Sequence, residues 1–160
     1  MGRRVYVSPM DSATVGTAVQ DIFALKTAAS NGAQVHHIQL SAGGVTTAAE
    51  VRMRLKRATA TFTLGSVGSA VTPVAVDAGD SLAATATTRI NDTTQSTTSG
   101  AFTTLENFQW NVLLPFDYMP GPEDEDRDAC VFSQGLVLDL PATIGAAYTT
   151  SGFLKFREYP

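Results

Sequence analysis

The side chains best suited to chemistry in this sequence are two adjacent histidines, an acidic run and a set of alternating cations. His36 and His37 come first, because imidazole is both a common metal ligand and a general base near neutral pH. They fall in Gln34–Ser41, which alternates like a strand. Neighbours on a strand point to opposite faces, so one metal ion does not easily take both, and a structural role is expected. The run Glu123-Asp-Glu-Asp-Arg-Asp128 offers oxygen ligands for a hard cation such as Ca²⁺. It lacks the glycine and the spacing of a helix–loop–helix calcium site. A solvated loop is the first reading; an acidic patch for a basic partner surface, or a cation site, stays open. Arg52, Arg54 and Lys56 alternate along a third stretch and, if functional, pair with acidic groups on a neighbouring subunit. Cys130 is the single cysteine and sits between Ala129 and Val131, as a small core residue does. Trp110 is expected in the core rather than as a sugar platform. The sequence shows no Gly-x-Ser-x-Gly turn, Gly-rich phosphate loop, Cys/His metal spacing or Ser/His/acid arrangement. No catalytic residues and no cofactor or metal are therefore assigned.

The element that organises these groups is Glu50–Thr63. Val51, Met53 and Leu55 alternate with Arg52, Arg54 and Lys56, the period of a strand with one buried face and one basic, wet face. A helix competes, since Thr47 and Glu50 fit a capping box. On a helix, however, Met53 would lie among the cations, and Thr59, Thr61 and Thr63 disfavour that conformation. Strands are also expected over Arg4–Ser8, Val19–Thr27, Gln34–Ser41, Leu82–Ile90, Phe102–Val112, Ala129–Leu140 and Tyr148–Tyr159, with a short extended piece at Pro73–Asp77. In Gln34–Ser41 the apolar parity shifts between Val35 and Ile38, which points to a bulge or to burial on both faces. Met10–Thr17 and Leu64–Thr72 read as loops, and Thr93–Gly100 as a polar loop with no buried anchor. About eight or nine short strands separated by turn signals predict an all-β, antiparallel β-sandwich or jelly roll. Residues 1–160 make one such domain, with 1–17 as an extended N-terminal arm.

Composition narrows the function classes. The chain has 160 residues, of which 16% are charged, and a net charge of −4. That is less charge than an ordinary globular domain carries, and it is the wrong sign for a nucleic-acid partner. With one cysteine there is no internal disulfide, so stability must come from packing or assembly. The basic N-terminus has no apolar run behind it and no stretch is long enough to span a bilayer, so neither secretion nor a membrane partner is expected. The expected place of synthesis is a cytoplasm.

From about Gln34 to the C-terminus the chain resembles small virion proteins of tailed phages and prophages, of the head-decoration kind. The resemblance runs, in order, through Glu50–Arg57, the Gly/Ser loop Gly65–Ala70 leading into Thr72-Pro-Val-Ala-Val-Asp77, and Asn91-Asp-Thr-Thr94. It continues through Leu105-Glu-Asn-Phe-Gln-Trp-Asn-Val112, the aromatic, proline-rich and acidic Phe116–Glu125, and Gly152-Phe-Leu-Lys-Phe-Arg-Glu158. The resemblance implies a non-catalytic β-sandwich that binds the outer capsid surface as a cement protein. Its implied partners are the major capsid protein and copies of itself, most simply a trimer at a threefold site. The expected contact residues are Arg3, Arg4 and Tyr6 near the N-terminus, Arg52 and Arg54 on the basic strand, and Phe116, Tyr118 and Met119. A carbohydrate- or receptor-binding tail module is the alternative; it requires Trp110 or Tyr118 exposed and coplanar with Phe116.

Overall fold

The computed structural model describes residues 4–16, 18–45, 47–121, 123, 127–143 and 147–160. The class is all-β and antiparallel, as the alternation predicts. The single sandwich of eight or nine strands is replaced by fourteen described strands in three sheets. In chain order they are β1 (Arg4–Val15), β2 (Gln20–Lys26), β3 (Gly32–Gly43), β4 (Glu50–Ala58), β5 (Phe62–Thr63), β6 (Ser69–Val71) and β7 (Val74–Ala75). Then follow β8 (Thr87–Asp92), β9 (Thr97–Thr98), β10 (Phe102–Asn111), β11 (Phe116–Tyr118), β12 (Ala129–Cys130), β13 (Gly135–Leu140) and β14 (Tyr148–Tyr159). The first sheet runs β11-β3-β14-β1-β7, with β12 also on β3; the second runs β10-β4-β13-β2-β8-β6; β5 and β9 form a ribbon.

The two large sheets share one apolar core. The first gives Tyr6, Val35, Ile38, Leu40, Leu154 and Phe156, and the second gives Phe23, Leu25, Val51, Met53, Leu55 and Leu138. Each such side chain contributes roughly 1.5–3 kcal/mol when fully buried. The strand reading of Glu50–Ala58 holds and the helix falls, because Val51, Met53 and Leu55 are all buried while Arg52 is exposed. Strands β2 and β13 are buried on both faces. Their outer residues Ala24 and Val137 join Ala58 and Phe62 in a second small cluster.

Several local expectations give way to long-range pairing. Residues 4–15 do not form an arm or end in a loop at Met10; they make β1, paired along its length with β14. Pro9 is tolerated because β7 reaches only Tyr6 and Val7, leaving that side of β1 open beyond them. The strand over Leu82–Ile90 starts only at Thr87, because the Glu158 carboxylate accepts the N–H groups of Thr85 (2.8 Å) and Ala86 (2.6 Å) and holds that segment off the sheet. The Thr93–Gly100 loop does have a buried anchor: Ser96 donates its N–H to Asp21 at 2.6 Å. Ala129–Leu140 is split by a turn, so that β12 joins the first sheet and β13 the second. Glu50–Thr63 is split in the same way, with β5 leaving for the ribbon.

Candidate functional site

The bulge foreshadowed by the parity shift decides where the histidines point. Along the β3–β14 ladder Lys155 pairs with His37 and Phe156 with Val35, so His36 is the extra residue. Val35 and Ile38 are both buried, and the two histidines between them are half-buried. Both therefore line one open groove of about 560 Å³ with Met119, Pro120, Gly121, Arg127 and Lys155. The expectation that they occupy opposite faces is corrected, since a bulge puts two consecutive side chains on the same side.

Each imidazole has a partner from the stretch after β10. The His37 Nε2 lies 2.8 Å from Asp117 Oδ1, and its ring meets Phe153 edge-on at 4.9 Å. Arg127 Nη1 lies 2.8 Å from His36 Nε2, and Arg127 Nε donates to the Gly121 carbonyl at 3.3 Å. Beside them the Tyr118 hydroxyl donates to Asp128 at 2.7 Å. Burial raises the Tyr118 phenol and also the Asp128 carboxyl above their ordinary values. The groove thus ties Asp117 and Arg127 back to β3. Among the described residues no three His, Cys, Asp or Glu side chains stand together as a metal site. Of the acidic run, 124–126 lie outside the described residues; Glu123 is exposed and Asp128 is engaged by Tyr118.

The basic face has its acidic partner inside the chain. Asp139 on β13 is wholly buried, and it accepts from Arg54 Nη2 at 2.6 Å and from Lys56 Nζ at 2.7 Å. That carboxylate raises the Arg54 pKa. The neighbouring-subunit pairing expected for Arg54 is therefore corrected. Arg52 stays exposed and donates to Asn107 at 3.2 Å. Sequence reasoning missed Asp139, which looked like one position in a buried apolar strand, although β-register beside Arg54 would have identified it.

The other expected contacts divide by burial. Arg3 lies outside the described residues. Arg4 is partly exposed and pairs with Asp80 at 2.8 Å. Tyr6 is 1% exposed and packs against Phe156, so it is a core residue and not a contact. Phe116 is likewise buried, and Tyr118 is half-buried against Phe108 at 4.8 Å. With Trp110 and Tyr148 these rings close the end of the core between β10 and β11. Met119 is 67% exposed and is free to touch a partner. Trp110 is 3% exposed, donates to the Leu114 carbonyl at 2.7 Å and is inclined 57° to Phe116, which is not a flat sugar platform. Cys130 is buried as expected, and burial pushes its thiol up to about 12.

Comparison with family models, curated proteins and solved structures finds no match to this chain.

Proposed function

We propose that this chain is a non-catalytic structural protein of a phage virion, a decoration or cement protein that binds the outer capsid surface and stabilises the head. The observation that carries the reading is a line of exposed large apolar side chains along one sheet edge, apart from a second group, Val74, Val76 and Leu82, in and after β7. Leu113 and Leu114 precede β11, Met119 follows it, and Val131 and Phe132 follow β12. Strand β11 lies beside Ile38–Leu40 and β12 beside Ala33–Gln34, so these side chains are strung along one edge of the first sheet. The stretch from Ala33 to Leu40, opposite Glu158 to Gly152, spans about 20 Å at the usual rise. A broken apolar line rimmed by polar groups suits docking on another protein. The carboxylates Asp21, Asp92, Asp139 and Glu158, by contrast, are buried braces with partners inside the chain.

The fold implied by this reading is a jelly-roll-like sandwich of the two large sheets. It is supported by the alternation of β1, β2, β3 and β4 between the sheets and by β14 lying next to β1. Retention on a head would come from many weak contacts repeated by capsid symmetry, with the major capsid protein and copies of the chain as partners. The test mixes the purified protein with heads lacking it. Co-sedimentation and a higher temperature of head rupture are expected. Leu114→Glu with Met119→Glu should abolish co-sedimentation while the protein's own melting temperature holds. Failure of the unaltered protein to bind heads would overturn the reading.

A further inference from the structure

The long edge of the second sheet matches itself. Strand β10 is an edge strand of ten residues, whereas the other edge strands, β6, β7, β11 and β12, have two or three. It carries one charge, Glu106, and no proline or lysine, the residues that usually blunt an exposed edge. Its one irregularity, between Thr104 and Glu106, leaves Glu106–Asn111 in a regular ladder with β4. Just beyond that ladder Val112 donates its N–H to Ala49 at 3.1 Å. In an antiparallel pair hydrogen-bonded residues alternate, so Trp110 and Phe108 also bond toward β4. Asn107, Gln109 and Asn111 then turn their N–H and C=O groups to the open side, where the Asn111 carbonyl already accepts the Leu114 N–H at 2.9 Å.

Those residues read Asn-Phe-Gln-Trp-Asn, amide and aromatic in strict alternation and symmetric about Gln109. The aromatic residues face the core and the amides face outward. We infer that two copies of this chain pair through β10 about a twofold axis at Gln109, joining their second sheets into one. In that register Gln109 faces its own copy, Asn107 faces Asn111, and Phe108 lies beside Trp110. Every pair keeps its residues on the same face; the two Gln109 residues exchange both backbone hydrogen bonds, each Asn111 N–H meets the partner's Asn107 carbonyl, and the Asn111 carbonyl has its second lone pair for the partner's Asn107 N–H beside Leu114. Gln109 suits the axis, because its amide both donates and accepts; the Asn107 and Asn111 oxygens already accept from Arg52 and from the Leu113 N–H. No like charges meet. Glu106 falls outside the symmetric segment, and beyond Asn111 the chain turns off the strand toward β11. A twofold contact of this kind closes on itself, so it gives a dimer and not a fibre. The inference rests on the strand edge alone and holds whether or not heads are bound.

The experiment measures the mass of the purified full chain in solution at micromolar concentration, without heads. Twice the chain mass is expected. Gln109→Lys places like charges on the axis and should weaken association about tenfold or more, with the thermal melt retained. Cysteine variants fix the register. Residues opposite in a hydrogen-bonded pair have Cα atoms about 5.5 Å apart, within the span of a disulfide. Gln109→Cys should therefore cross-link to its own copy on mild oxidation. Asn107→Cys alone should not, and Asn107→Cys with Asn111→Cys should. Cys130 is buried and does not interfere. A monomer, a trimer, or cross-linking by Asn107→Cys as strong as by Gln109→Cys would overturn the inference, and the cysteine variants decide it if Gln109→Lys fails to fold.

Discussion

His36 and His37 are consecutive residues of β3, yet both line one groove, because His36 is the extra residue of a bulge opposite Lys155 and Phe156. The bulge keeps Val35 and Ile38 both in the core. Its consequence is a connection from β3 to Asp117 through one ring and to Arg127 through the other.

The bulge, more than the imidazole that occupies it, builds the groove. Deleting His36 restores a regular ladder in which Val35, His37 and Ile38 still lie opposite Phe156, Lys155 and Leu154, so the core side chains keep their faces. The deletion variant is expected to fold with a loss of about 1–3 kcal/mol, the ordinary range for a single change, because the bulge and the Arg127 contact go with it. His36→Ala keeps the extra residue and should cost about 1 kcal/mol or less. Urea unfolding of the two variants checks this, and equal losses would show that the side chain matters and the spacing does not.

Asp139 is the keystone of the basic strand. It is fully buried and receives both Arg54 and Lys56. Asp139→Asn leaves two cations facing a neutral amide. Breaking one partner of a buried ion pair costs about 3–5 kcal/mol; with Arg54 partly exposed, about 2–4 kcal/mol is expected. Replacing all three by apolar residues, Asp139→Leu with Arg54→Met and Lys56→Met, should recover most of that loss. Chemical denaturation of the single and triple variants is the measurement.

The strand pattern was legible because burial on one face leaves a period of two. Tyr148–Tyr159 and Glu50–Ala58 stand where alternation put them. The parity shift in β3 even located the bulge, but its effect on the histidines needed the β14 register. What local pattern cannot carry is pairing between distant segments. Pro9 and the polar residues after it look like a loop, but β14 makes them a strand. Thr85 and Ala86 look like a strand, but Glu158 holds them off the sheet. Phe116 and Tyr118 looked like surface anchors because they sit among prolines; the rings of Phe108 and Trp110 that bury them come from β10.

Asp21 gives a pH dependence with a definite sign. It is almost inaccessible, next to Asp139 in the β2–β13 ladder, and burial is the largest cause of its raised pKa. A group with a raised folded pKa contributes stability that is fully present below its unfolded value, near 3.9 for aspartate, and is lost as pH rises through the folded value. At neutral pH the charged carboxylate is therefore a liability, partly offset by the Ser96 N–H. Asp21→Asn keeps an acceptor for that N–H and removes the charge. It should match or exceed the unaltered protein's melting temperature at pH 7, with the gain vanishing toward pH 3. Melting curves across that range test it, and a gain that grows on acidification would contradict the assignment.

Gly152 marks a close approach of β3 and β14. It pairs with Leu40, and a Cβ placed on it would run into the backbone carbonyl of Gln39. Because the obstacle is main chain and not a flexible side-chain tip, the two strands must separate to admit even a methyl group. These strands form the most extended ladder of the first sheet, and Leu40 and Leu154 on either side of the contact are core residues. Gly152→Ala is expected to cost about 2–3 kcal/mol, in the range of overpacking a core. Gly44 is the control. It also lies beside β3, but a Cβ there meets nothing within 4 Å, and its φ of +73° makes alanine costly only through local strain, about 1–2 kcal/mol. Hydrogen exchange separates the two mechanisms. Gly152→Ala should speed exchange along β3 and β14 together, whereas Gly44→Ala should lower stability without singling out that ladder.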